Sequence, residues 1–104
     1  MKQYNVKITS LALNDMNSIY DYIAKAFREQ ETAMRQYDRI AEKIQSLEIL
    51  PDRCKQIVLT PQLHVVRQLI VDNYSIIYTI ENSSVIVLRV LYSSSDIASR
   101  LQFD

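Results

Sequence analysis

The hydrophobic pattern of the chain predicts a strand followed by two helices. Tyr4, Val6 and Ile8 alternate with polar residues, as in a half-buried strand. Apolar residues then recur at three- and four-residue steps in two stretches, which predicts two amphipathic helices that form an antiparallel hairpin. The first stripe is Ala12, Met16, Ile19, Ile23 and Phe27, and the second is Met34, Tyr37, Ala41, Ile44 and Leu47. Pro51 ends the second helix.

The stretch from residue 65 to residue 96 has the clearest strand signal and predicts a three-stranded antiparallel meander. Its runs are β-branched and aromatic, and Asp72-Asn73 and Asn82–Ser84 interrupt them with turn residues. We therefore expect an α+β fold in one domain, residues 1–104, with the N-terminal strand joining the meander and both helices packed on one face of the sheet. Residues 52–64 are predicted to form a loop with a short extended piece at Ile57–Leu59. Asp96 is predicted to cap a final turn through Ile97–Leu101.

The turn lengths predict which side chains face the helices. A three-residue turn at Asn82–Ser84 pairs Ile80 with Ile86 and directs one set of apolar residues toward the helices. The opposite face of the sheet is then also apolar, and such a face is too large to stand exposed to water. The end of the chain or a partner should cover it. This second face carries Val66, Gln68, Ile70, Ser75, Ile77, Thr79, Val87, Arg89 and Leu91.

Composition removes several classes of function. The 104 residues include no glycine, which excludes the glycine-rich loops that bind nucleotide phosphates, so no cofactor of that kind is expected. Cys54 and His64 are too few to form a zinc site, and no metal is expected. The 12 basic residues balance the 12 acidic ones, which argues against direct nucleic-acid binding. No membrane span or signal core is present in the sequence, and a cytoplasmic location is expected.

Three segments of the sequence together resemble a known family. The segments are LNDMNSIYDYIAKAF, VRQLIVDNYSIIYTI and VIVLRVLYSSSDI, and the likeness extends from Tyr4 to about Asp96. They resemble the RelE/ParE superfamily, the plasmid-stabilisation toxins of bacterial type II toxin–antitoxin modules. The resemblance implies one of two activities: RelE-like members are ribosome-dependent mRNA endonucleases, whereas ParE-like members bind and inhibit DNA gyrase. A cognate antitoxin neutralises both kinds.

The residues at the nuclease positions favour the ParE-like branch. RNA cleavage needs a general acid or base and an arginine that holds developing negative charge. Where related nucleases often place an arginine and a histidine, this chain has Ser75 and Tyr92. Arg89 and Tyr92 are the catalytic candidates if the chain is a nuclease. The alternatives are therefore a gyrase inhibitor, which is favoured, an mRNA endoribonuclease acting on the ribosome, and an inactive homologue that serves assembly.

The resemblance also implies a protein partner. We expect a hetero-oligomer in which an antitoxin covers the second face of the sheet as an added helix or strand. Arg67 matches the second-strand arginine of the family, and it is expected to form a structural ion pair with a helix carboxylate. The predicted antitoxin- or target-binding residues are Val66, Gln68, Ile70, Ile77, Val87, Arg89 and Leu91.

Overall fold

The computed structural model describes residues 2–58 and 65–93, apart from the side chain of Val58. His64 and the predicted final turn at Ile97–Leu101 lie outside the described residues. The elements are β1 (Asn5–Ile8), α1 (Ser10–Phe27), α2 (Gln30–Gln45), β2 (Lys55–Val58), β3 (Val65–Val71), β4 (Tyr74–Glu81) and β5 (Ser84–Tyr92). Two short 3₁₀ turns, Ser46–Glu48 and Pro51–Arg53, connect α2 to β2.

The strands form one sheet in the order β1-β5-β4-β3-β2. Strand β1 is parallel to β5, and the other neighbours are antiparallel. This confirms the predicted α+β fold with its N-terminal strand, helical hairpin and meander. The extended piece expected at Ile57–Leu59 overlaps the strand β2 (Lys55–Val58), which pairs with β3, and Leu59 lies outside the described residues.

Local side-chain chemistry sets the ends of α1. The Thr9 hydroxyl accepts a hydrogen bond from the Ala12 amide at 3.1 Å, which satisfies one of the free amides of the first turn. The same hydroxyl donates to the Leu88 carbonyl at 3.0 Å and so ties the start of α1 to β5. At the other end Arg28 adopts a left-handed conformation with φ 51°, which reverses the chain into α2 without a glycine.

The main core lies between the helical hairpin and one face of the sheet. Ile40 and Leu47 from the helical side pack there against strand residues such as Ile76 and Val85, all four fully buried. Tyr78 is also buried, and its hydroxyl donates to the Pro51 carbonyl. Desolvation and the neighbouring Cys54 thiol raise the pKa of this phenol well above its usual value. Two predicted core residues are exposed instead, because Phe27 ends α1 and Met34 lies on the outer side of α2.

The register of β4 with β5 differs from the predicted register by one residue. The turn contains two residues, Asn82 and Ser83, because Asn82 accepts φ 56° where a glycine is more usual. Tyr78 therefore pairs with Val87, which is buried in the helix-side core. The prediction that Val87 lies on the second face with Ile77 was wrong for this reason.

A β-bulge restores the predicted alternation farther along β5. The register shifts between Ile77 and Tyr78, so Leu88 stands opposite no residue of β4. Beyond it Arg89 pairs with Ile77, and Val90 pairs with Ile76. Arg89 is therefore placed on the second face as predicted.

Arg67 has different partners from the one that was predicted. The residue pairs with Tyr78 and so lies on the helix-side face. Its guanidinium donates to the main-chain carbonyls of Asp52 at 2.9 Å and Cys54 at 2.8 Å. Main-chain carbonyls of the segment after α2 face β3 and accept the hydrogen bonds of Arg67, in place of the expected helix carboxylate.

Candidate functional site

Much of the predicted binding face is already buried within the single chain. Val66, Ile77 and Leu91 form a small second core and are 3%, 0% and 2% exposed. Ile70 on the same face is 61% exposed, whereas Gln68 is half-buried and donates to the Ser75 hydroxyl at 2.7 Å. Of the apolar residues predicted to contact a partner, Ile70 alone is well exposed. Val87 is buried in the helix-side core. A role in binding for these buried residues remains a prediction.

The Arg89 guanidinium is held by a carboxylate of the first helix. Its Nε and a terminal nitrogen donate to the two oxygens of Asp15 at 2.7 and 2.9 Å, a bidentate ion pair. The Asp15 carboxylate also accepts the Val90 amide at 3.0 Å. The hydrogen bonds that Arg89 donates to Asp15 raise the pKa of Arg89 above its ordinary value. The positive charge that a nuclease would direct at a phosphate is thus balanced by an internal acid.

Tyr92 does not meet Arg89 at one site. The two residues are three positions apart on a strand, so their side chains leave opposite faces of β5. Tyr92 pairs with Tyr74, and the two rings are in edge-to-face contact with centroids 5.8 Å apart. Tyr92 remains 50% exposed. The structure therefore does not bring the two catalytic candidates together.

A groove with a volume of about 930 Å³ lies between α1 and the end of β5. Its walls are largely apolar and aromatic. Tyr22 and Phe27 are 67% and 66% exposed at its rim, and exposed aromatic residues in a concave patch are typical of protein-binding sites. The groove is lined by Asp15, Ser18, Ile19, Tyr22, Ile23, Phe27, Thr32, Gln36, Asn73, Tyr74, Val90, Leu91 and Tyr92.

A polar clamp supports one end of this groove. Arg39 makes two hydrogen bonds to the Asp72 carboxylate, at 2.8 and 3.1 Å, and Gln36 donates to the same carboxylate at 3.0 Å. These bonds join α2 to the turn between β3 and β4. The Arg39 guanidinium lowers the pKa of Asp72, and Gln36 adds to this effect. Because Gln36 and the adjacent Asn73 line the groove, the clamp holds two of its walls together.

Asp15, Tyr22 and the groove that they line were not predicted from the sequence. A signal was present, because Leu11, Asp15, Ser18 and Tyr22 recur at steps of four, three and four along α1. This row lies beside the core stripe, and its two apolar ends, Leu11 and Tyr22, are more than half exposed. Exposed apolar residues at both ends of a row beside the core stripe indicate a helix that contacts more than its own core.

Neither helix in residues 2–58 and 65–93 is long and apolar enough to cross a membrane. Among the same residues, no group of three or more His, Cys, Asp and Glu side chains is placed to hold a metal ion.

Comparison with known proteins places the chain in a family. The model of the family described as the ParE toxin of type II toxin–antitoxin systems, parDE, matches residues 6–97. The chain belongs to this ParE toxin family. No curated protein matched the chain.

A solved structure supports the fold. The chain is similar to a chain of the chromosomal ParDE toxin–antitoxin system from P. aeruginosa, with a TM-score of 0.74 and 20% sequence identity. The alignment covers 88% of this chain and 98% of the other. At this level of identity the likeness shows a shared fold.

Proposed function

We propose that this chain is a toxin that acts by binding and inhibiting a target protein, with DNA gyrase as the favoured target, and that a cognate antitoxin neutralises it in the cytoplasm. The observation that carries the proposal is membership of the ParE toxin family over residues 6–97. The chemistry of β5 supports binding over RNA cleavage, because the Arg89 charge is paired with Asp15 and Tyr92 lies on the other face of the strand.

The groove between α1 and β5 is the surface that best suits the antitoxin. Tyr22, Phe27 and Tyr92 present exposed apolar area to it, and burying such area is the main favourable term in protein association. Tyr22 provides a direct test. Tyr22→Ala should weaken antitoxin binding by roughly 10- to 100-fold, as expected for an aromatic hot spot of about 2 kcal/mol.

The control for this variant is Met34→Ala. Met34 is also an exposed apolar residue, 47% exposed, on the outer side of α2 away from the groove lining. Its truncation should leave antitoxin affinity within a factor of two. Equal losses in the two variants would refute the assignment of the groove.

The proposed target is tested with purified components. Added to DNA gyrase and relaxed plasmid, the full chain should inhibit supercoiling, and its cognate antitoxin should restore supercoiling. Unimpaired gyrase together with cleavage of mRNA on translating ribosomes would contradict the proposal. That outcome would establish the nuclease alternative. In that case Arg89→Ala with Tyr92→Phe should abolish cleavage.

A further inference from the structure

The loop that connects α2 to β2, residues 46–54, contains a strained residue at an exposed position. Leu50 has φ 49° and ψ 54°, in the left-handed region that leucine avoids. Aspartate and asparagine accept this conformation more readily, as Asp72 and Asn82 do elsewhere in the chain. The Leu50 side chain is 53% exposed, and that of the neighbouring Ile49 is 45% exposed. Burial in the core therefore does not offset the cost of this conformation.

Side-chain donors fix the main chain of this α2–β2 loop. The Arg53 guanidinium donates to the carbonyls of Ile49 at 2.7 Å and Leu50 at 3.1 Å. Arg67 and Tyr78 from the sheet donate to the carbonyls that follow, which are those of Pro51, Asp52 and Cys54. Strain that the surrounding structure maintains in this way is typical of functional sites, because it fixes the shape that a ligand or a partner meets.

The base of the loop carries positive charge. The main-chain carbonyls satisfy hydrogen bonds of Arg53 and Arg67 but leave each guanidinium its full charge. Among residues 2–58 and 65–93, neither arginine forms an ion pair, and the exposed Lys55 at the start of β2 forms none either. These three basic groups outnumber the two acids of the same segment, Glu48 and Asp52. The loop thus presents two apolar side chains above a cationic base.

We propose that the α2–β2 loop is a docking element for the target protein, and that the surface it fits is an apolar pocket with an acidic rim. The inference rests on the proposed function, since it names a contact between the toxin and its target. Leu50 and Ile49 enter the pocket, where burial of apolar area stabilises the complex, and the cationic base faces the carboxylates of the rim. None of residues 46–54 lines the groove between α1 and β5, so the loop and the groove are separate surfaces.

Leu50→Asn tests the apolar tip of the loop. Because asparagine accepts the left-handed conformation, Tm should equal or exceed that of the wild type, and antitoxin affinity should stay within about a factor of two. Growth arrest on expression without the antitoxin should be lost, and inhibition of gyrase supercoiling should weaken about 10-fold or more, as for a hot-spot residue. The control is Met34→Asn at an apolar side chain of similar exposure, 47%, which should keep full growth arrest.

The outcomes separate this inference from the proposed function. Growth arrest at the wild-type level by Leu50→Asn would overturn the inference, whichever protein is the target. An equal loss of antitoxin affinity, or the loss of a dimer that the wild type forms, would also overturn it, because the loop would then contact the antitoxin or a second copy. A wild-type chain that arrests growth but leaves gyrase active would contradict the proposed function instead.

Two charge reversals test the cationic base. Lys55 and Lys7 are exposed lysines on the two edge strands of the sheet, β2 and β1. Lys55→Glu should weaken binding to gyrase by about 5-fold at low ionic strength and by less at high ionic strength, because salt screens exposed charges. Lys7→Glu, far from the loop on the opposite edge, should leave this affinity unchanged. Equal effects of the two reversals would refute the acidic rim.

Discussion

The Asp15 carboxylate joins α1 to β5, and its loss should destabilise the protein substantially. It accepts two hydrogen bonds from Arg89 and one from the Val90 amide, all between 2.7 and 3.0 Å. The Asp15 and Arg89 side chains are 14% and 19% exposed. Removing one partner of a buried ion pair costs roughly 3–5 kcal/mol. Partial exposure of this pair reduces the expected cost to about 2–3 kcal/mol.

Two substitutions separate the charge from the hydrogen bond to the main chain. Asp15→Asn keeps an acceptor for the Val90 amide and should cost about 2 kcal/mol. Asp15→Ala also leaves that amide without its partner and should cost about 1 kcal/mol more. Thermal and urea unfolding, followed by circular dichroism, would measure both. For a domain of this size, a loss of about 2 kcal/mol corresponds to a fall in Tm of roughly 8–16 °C.

A double-mutant cycle and a control complete the test. Arg89→Met in the Asp15→Asn background removes the stranded charge, so the double variant should recover part of the loss, with a coupling energy of about 1–2 kcal/mol. Asp21→Asn, on the exposed side of the same helix, should change stability by less than about 0.5 kcal/mol. A loss below about 0.5 kcal/mol for Asp15→Asn, or a coupling near zero, would show that solvent screens the pair and would refute this reasoning.

Three further predictions concern stability. Arg39 lowers the pKa of Asp72, so the ion pair stabilises the folded state. This stabilisation is present above the unfolded-state pKa of about 3.9 and is lost as pH falls through the lower folded-state pKa. Asp72→Asn should therefore lower Tm at pH 7 and lower it less and less as pH falls through that range, and an equal loss at every pH would contradict this reasoning. Burial raises the pKa of Tyr78. Its contribution to the stability of the folded state is therefore complete below the unfolded-state pKa of about 10 and declines as pH rises toward the folded-state pKa. Tyr78→Phe should lose about 1 kcal/mol at pH 7 but flatten the decline in Tm above about pH 10, and an unchanged slope would count against the assignment. Arg28→Gly should raise the free energy of unfolding by about 0.5–1 kcal/mol, because glycine adopts the left-handed conformation of this residue without strain. Arg35→Gly within α2 should lower the free energy of unfolding by about 1 kcal/mol. A lower free energy of unfolding in both variants would show that Arg28 is not strained.

The order of elements was predictable because hydrophobic periodicity reports burial directly. Met16 and Ile23 recur at helical spacing and are buried, and Ile76 and Tyr78 alternate with strand spacing and are buried too. The β5 register was not predictable in the same way. It depends on whether Asn82 accepts a positive φ, and on a bulge at Leu88 that leaves no mark in the pattern of apolar residues.

The groove could not be derived from sequence because its walls come from distant parts of the chain. Phe27 was predicted to be core, and its position at the end of α1 instead leaves it at the rim of the groove. Asp15 was not among the residues predicted to matter, and its importance depends on Arg89, which lies 74 residues farther along the chain. Such pairings follow from the tertiary fold and not from local pattern.

We propose that this ParE-family chain stops growth by inhibiting a protein needed for DNA replication. The most direct test is pulse labelling of DNA and protein synthesis in the first minutes after the chain is expressed without its antitoxin. We expect DNA synthesis to fall first while translation continues. A fall in translation before any change in DNA synthesis would contradict it and make cleavage of mRNA the activity to pursue.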